Sequence, residues 1–189
     1  MKRNIDTSLL DRAIIFAVHA HQGVERKGKG FPYVVHPLEA MSIVATMSSD
    51  QELLAAAVLH DVIEDTDTTA DELQREFGER VARLVEAESD IKVEGLKADS
   101  WHQRKQAALD RLTTAPRDVK MVALGDKLSN MRAIARDYAA LGDAFWNRFN
   151  VKNPADHAWR YRCLVTALSE LSGIEAYEEF RTLVERVFP

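Results

Sequence analysis

Apolar residues recur along most of the chain with the spacing of one helix face. Leu9, Leu10, Ala13, Ile14, Ala17 and Val18 follow the three- and four-residue steps of an amphipathic helix near the N-terminus. Leu164, Ala167, Leu168 and Leu171 repeat the pattern near the C-terminus, and Ile174, Tyr177, Phe180, Val184 and Val187 form a last stripe. Glu175, Glu178, Glu179, Arg181 and Glu185 stand on the wet side of that stripe. Thr69-Ala70-Asp71-Glu72 reads as a capping box, which satisfies the first amides of a helix ending near Phe77-Gly78. Pro116 and Asp118 suit the start of a helix through Val119 and Val122. The run Leu53–Leu59 is apolar at every position and reads as a buried helix. No useful stretch alternates with the period of a strand. The least regular segments are 23–35, 90–100 and 140–156, of which 90–100 reads as a plain connection. The pattern predicts an all-α fold.

Composition narrows this further. A chain of 189 residues predicts a single domain over 1–189, at the usual ~150 residues per domain. Gly and Pro together make up about 7% of it, against a typical ~12%, as suits a fold with few turns. The net charge of −5 argues against duplex nucleic acid, which is bound through many Lys and Arg contacts to phosphates. The lone cysteine, Cys163, excludes an internal disulfide and a paired-cysteine zinc site. The N-terminal MKRNIDTSLL lacks the apolar core of a signal peptide, and Leu53–Leu59 falls well short of the ~20 residues of a membrane span. The expectation is a cytoplasmic protein without membrane partners; oligomeric state is not indicated.

Gly23–Gly30, GVERKGKG, nearly matches a GxxxxGK[ST] phosphate loop. It ends in glycine where magnesium needs a hydroxyl, and a helix precedes it where a strand belongs, so it is rejected as a nucleotide triphosphate loop. The stronger signal is Leu59-His60-Asp61-Val62-Ile63-Glu64-Asp65, which closes the apolar run. Four ionisable groups at the end of a core helix are costly unless compensated. Spacing allows His60, Asp61 and Glu64 to share one face. A divalent metal is one compensation, since imidazole and carboxylate together suit first-row ions; solvated charges at a helix end are the other. His36 precedes Pro37, which is expected to open a helix and to hold His36 extended at its mouth, as a ligand or a cap. Asp126 shares an apolar stripe with Val119 and Val122, and Asn130 follows one turn later. A carboxylate there needs a partner, either a metal or a buried arginine. Of the other histidines, His21 reads as structural or as support for a ligand, and His102 and His157 read as surface residues.

The order His … His-Asp … Asp resembles the metal signature of the HD-domain phosphohydrolases. HQGVERKGKGFPYVVHP at His21–Pro37, LHDVIEDT at Leu59–Thr66, FGERV at Phe77–Val81, Arg104-Lys105 and GDKLSN at Gly125–Asn130 together resemble the small alarmone hydrolases of the RelA/SpoT homologue group. The resemblance covers about residues 8–138. It implies an HD-domain helical bundle with one divalent metal, usually Mn²⁺, bound by His36, His60, Asp61 and Asp126. It implies Glu64 and Asp65 as the acids that serve the attacking water. It places Arg26, Lys27, Asn130 and Tyr161 at a phosphorylated nucleotide. Asp65 has a second reading as a cap on the turn at Thr68, and Tyr161 a second reading as a core aromatic. Ala133 and the segment Gly142–Asn150 depart from the group's usual text, and both bear on the nucleotide rather than on the metal.

The reading is a metal-dependent phosphohydrolase that removes the 3′-pyrophosphate from (p)ppGpp or a related nucleotide. Two other readings stand beside it. One is an HD phosphohydrolase acting on another nucleotide, such as a nucleoside monophosphate. The other is a weakly catalytic nucleotide sensor.

Overall fold

A computed structural model describes residues 5–89 and 101–189 of the chain, so the expected connection at 90–100 lies outside the described residues. Among the described residues there is no strand, only one isolated bridge between Glu25 and Pro32. The expected all-α class holds. The helices fall in two compact units, Met1–Ser89 and Asp90–Pro189.

The first unit holds α1 (Ser8–Ala20), α2 (Val35–Ala45), α3 (Gln51–Leu59), α4 (Val62–Asp65), α5 (Ala70–Phe77) and α6 (Glu79–Glu88). α3 is its centre, with α1, α2 and α6 packed on it. Every residue from Leu53 to Leu59 is at most 7% exposed. A helix with no polar face has nothing to offer water, so it takes the middle of the bundle. Truncating Leu59, fully buried beside His60, falls in the class of core changes that cost about 2–5 kcal/mol. The predicted cap of α5 is present, with the Thr69 hydroxyl accepting from the Glu72 N–H at 3.2 Å.

The start of α3 is anchored over a longer range. Asp50 caps it, accepting from the Glu52 N–H at 2.9 Å. Arg80 of α6 then reaches both Asp50 and Glu52, at 2.7 Å each. Partial burial alone would raise the Asp50 pKa, but the Arg80 and backbone hydrogen bonds outweigh it and hold the pKa below the ordinary aspartate value.

The second unit holds α7 (Trp101–Thr114), α8 (Arg117–Leu141), a 3₁₀ helix (Gly142–Arg148), α9 (Pro154–Ala167) and α10 (Glu175–Val187). α10 packs along α8, where Arg132 grips both Glu179 oxygens at 2.7 and 2.6 Å. Pro154 sits in the first turn of α9, where its missing N–H costs nothing, and Asn153 caps that helix. The irregular stretch 140–156 therefore contains structure of its own, with Phe145 and Trp146 buried. His157 corrects an expectation. It is 6% exposed rather than at the surface. Its ring stacks on Trp146 at 4.9 Å and its Nε2–H donates to the Val151 carbonyl at 2.7 Å. Burial lowers its pKa and favours the neutral ring.

Asp50→Ala should destabilise the protein by about 0.5–2 kcal/mol, the usual cost of a lost N-cap. For a chain of this size, each 1 kcal/mol shifts Tm by about 2–4 °C. The folded-state pKa of Asp50 is depressed, so its contribution is complete above the ordinary aspartate range. It is lost as pH falls through the lower folded value, and thermal melts of the two proteins should converge in acid.

Candidate metal centre

α3 stops at Leu59, and the chain turns through His60 and Asp61 before the short α4. His60 is 2% exposed. Its Nδ1 lies 2.8 Å from the Ala57 carbonyl oxygen. A carbonyl only accepts, so Nδ1 carries the proton and a neutral ring presents a lone pair at Nε2. That Nε2 lies 2.9 Å from Asp61 Oδ2. Two acceptors so close repel each other, and a proton or a metal cation relieves the repulsion. His36, 4% exposed, brings its own Nε2 to 3.5 Å from the same oxygen. The two rings meet edge to face at 5.0 Å. Within the first unit, two buried imidazoles thus converge on one carboxylate oxygen, a donor set that fits a first-row divalent ion.

His36 lies where it was expected, but not in the expected conformation. α2 begins at Val35, so His36 is inside its first turn rather than extended ahead of it. Turn bonds from Val35 N–H to Pro32 and from His36 N–H to Tyr33, at 3.3 and 2.9 Å, lead the chain into the helix. Pro37 is accommodated because a first-turn N–H has no partner within the helix to lose.

Glu64 and Asp65 are exposed on α4. The break at His60-Asp61 puts Glu64 on a different helix from the one His60 ends, so the expected single face is interrupted. Thr66, not Asp65, serves the following turn, accepting from the Thr68 N–H at 3.1 Å. The charge of Asp65 is felt by both His21 and Tyr33.

Tyr33 was not among the expected site residues. Its hydroxyl donates to Asp61 Oδ2 at 2.6 Å. Burial foremost, and then the Asp61 charge, raise its pKa and keep it a proton donor. His21 packs against the Tyr33 ring at 4.9 Å and is 2% exposed. Burial lowers the His21 pKa, and its Nε2 has no hydrogen-bond partner among the described residues. The signal for Tyr33 was its position three residues before His36, inside the quoted motif.

Arg26 and Lys27 lie on a tight loop pinned by Arg26 N–H to Phe31 O at 2.9 Å and by Tyr33 N–H to Val24 O at 2.8 Å. Lys29 N–H closes a turn back onto Arg26 O at 2.9 Å. Gly28 in that turn has φ +68°, a conformation side-chain-bearing residues rarely adopt. The glycines that mimicked a phosphate loop therefore serve a turn. Lys27 is exposed, while the Arg26 guanidinium lies over the Tyr33 ring, 5.2 Å from its centroid.

In the second unit Asp126 is 6% exposed on α8. Lys127 donates to its Oδ2 and Asn130 to its Oδ1. The expected alternative partner was an arginine; the cation present is the adjacent lysine. Tyr161 is 6% exposed, its ring stacked on Phe188 at 5.8 Å and near Phe180 at 6.2 Å.

The family described as HD domain matches residues 13–149. The guanosine-3′,5′-bis(diphosphate) 3′-pyrophosphohydrolase MESH1 of Mus musculus is 37% identical over 134 residues, covering 69% of this chain and 72% of that one. The enzyme of the same name from Aquifex aeolicus is 37% identical over 125 residues, 66% of this chain. The chain spans only 18% of the length of that relative and of the GTP pyrophosphokinase rsh of Brucella ovis. Among solved structures, a metazoan ortholog of SpoT shares the fold, with a TM-score of 0.75 and 22% identity over 98% of this chain and 97% of the other. A Listeria monocytogenes protein gives a TM-score of 0.73 at 25% identity, covering 85% of this chain and all of that one. With a match running through most of its length and a His-Asp pair at the end of the apolar helix α3, the chain belongs to the HD domain family.

Proposed function

We propose that the chain is a metal-dependent phosphohydrolase that removes the 3′-pyrophosphate of (p)ppGpp. The observation that carries this reading is the convergence of the His36 and His60 imidazoles on Asp61 Oδ2. The similarity to MESH1 supplies the substrate. In this reading Mn²⁺ is held by His36, His60, Asp61 and Asp126. The buried donors His36, His60 and Asp126 are of the right types for such an ion. The two units act as one domain, in keeping with a family match that runs through both. The protein is taken to be cytoplasmic; among the described residues no helix is long and apolar enough to cross a membrane.

A divalent ion bound there supplies Lewis acidity toward phosphoryl oxygens and makes a nearby water more acidic. The chain supplies the rest. Glu64 and Asp65 accept the proton of the water that adds to phosphorus. The 3′ O–P bond breaks and the leaving 3′ oxygen takes up a proton, so that ppGpp and water give GDP and pyrophosphate. Arg26 and Lys27 hold the phosphate charge. Asn130 fixes the Asp126 carboxylate. Tyr161 is the remaining candidate substrate contact, its ring packed against Phe180 and Phe188.

Purified protein loaded with Mn²⁺ should carry close to one ion per chain, and His60→Ala should lose it. Metal analysis after desalting checks this. Offered ppGpp and a panel of nucleoside monophosphates, the loaded protein should release GDP and pyrophosphate from ppGpp. Cleavage of a monophosphate alone would favour the second HD chemistry, and binding without turnover would favour a sensor.

Glu64→Gln should keep the metal and the KM while kcat falls about 10²–10⁴-fold, the usual loss for a general base. Arg26→Ala should mainly raise KM, because a positioning contact acts in ground and transition states alike. Steady-state kinetics beside metal content separates the two. Loss of metal from Glu64→Gln would make Glu64 a ligand instead.

A further inference from the structure

We propose that Tyr33 is the positioning residue of this site, joining the arginine that meets the substrate to the carboxylate that meets the metal. The inference rests on the reading above, with Asp61 as a ligand and Arg26 as a phosphate contact.

Two observations on opposite sides of one side chain carry it. At its tip, the Tyr33 hydroxyl donates to Asp61 Oδ2 at 2.6 Å, the same oxygen that the His36 and His60 nitrogens approach. On its face, the ring lies 5.2 Å from the Arg26 guanidinium carbon, within cation–π range. The ring has little room to drift. His21 packs against it at 4.9 Å and His36 at 5.9 Å. Its own N–H is tied to the Val24 carbonyl at 2.8 Å.

Each contact restricts the rotation of the group it touches. A carboxylate that accepts a fixed phenol proton keeps one rotation about its Cβ–Cγ bond and one set of lone pairs directed outward. An outer hydrogen bond of this kind, from a residue that does not itself touch the metal, typically changes metal affinity or activity about 10–100-fold. The guanidinium stacked on the ring is held near one orientation before a phosphate arrives, so less ordering remains to be done on binding. One side chain thereby fixes the spacing between the anion-binding loop and the metal carboxylate. That spacing decides whether a pyrophosphate held by Arg26 also reaches the ion.

The test separates the two contacts. Tyr33→Phe keeps the ring under Arg26 and removes only the hydroxyl, while Tyr33→Leu removes both. Mn²⁺ alone is titrated into metal-free wild type and variants by calorimetry, with metal-free thermal melts as the folding control. Kinetics with ppGpp are then measured at saturating Mn²⁺. Tyr33→Phe should bind Mn²⁺ about 10–100-fold more weakly with KM unchanged. Tyr33→Leu should show the same loss of metal affinity together with a raised KM, and adding Arg26→Ala to it should raise KM little further. Equal Mn²⁺ affinity in wild type and Tyr33→Phe would overturn the inference while leaving the metal reading intact. A wild type that binds no Mn²⁺ would overturn both. The Tyr33→Phe arm decides the question even where Tyr33→Leu fails to fold.

Discussion

A buried neutral imidazole that gives its Nδ1–H to a backbone carbonyl offers a lone pair to whatever its other nitrogen faces. In His60 that nitrogen faces a carboxylate, 2.9 Å away, and the imidazole of His36 approaches the same oxygen. Burial removes the water that would otherwise screen such a contact. The arrangement is reasonable chemistry only around positive charge. Tyr33 supplies one proton to Asp61 Oδ2, and the two imidazole nitrogens beside that oxygen suit a bound cation. Most of the first unit can be understood as holding these groups in place.

The holding is done by apolar packing and by a few long-range ion pairs. α3 is buried all round, so the position of His60 at its end is as fixed as the core itself. Its other end is tied by Asp50 and Arg80. α2 packs on α3 and carries His36 in its first turn. In the second unit Asp126 meets the same problem of a buried charge, with Lys127 and Asn130 as its local partners. Glu64 and Asp65, proposed to serve the attacking water, are exposed on a short helix.

Much of this was legible in the sequence because it is local. The apolar run 53–59, the Thr69 cap and the stripe of α10 depend on neighbours within one or two turns, and each took the form that its spacing predicted. The His60-Asp61 pair was conspicuous because charge at the end of a core helix needs an explanation. What was missed depends on contacts distant along the chain or on competing local rules. Arg80 reaches partners 28 and 30 positions away, which no periodicity records. His157 looked like a surface residue because its burial comes from Trp146, on a preceding segment that read as irregular. His36 looked extended because a residue before proline usually is, yet the turn at Pro32–Val35 carries it into the helix. Tyr33 reads as an ordinary aromatic until its hydroxyl is seen on Asp61.

The central claim is that His36, His60 and Asp61 form a cation site rather than a buried ion pair. Anomalous diffraction from crystals of the Mn²⁺-loaded protein tests it most directly. The account predicts one strong peak at coordination distance from His36 Nε2, His60 Nε2 and the Asp61 carboxylate, with Asp126 as a further donor. A protein in which that position stays empty while His60 and Asp61 remain in direct contact, or in which manganese binds elsewhere, would contradict it.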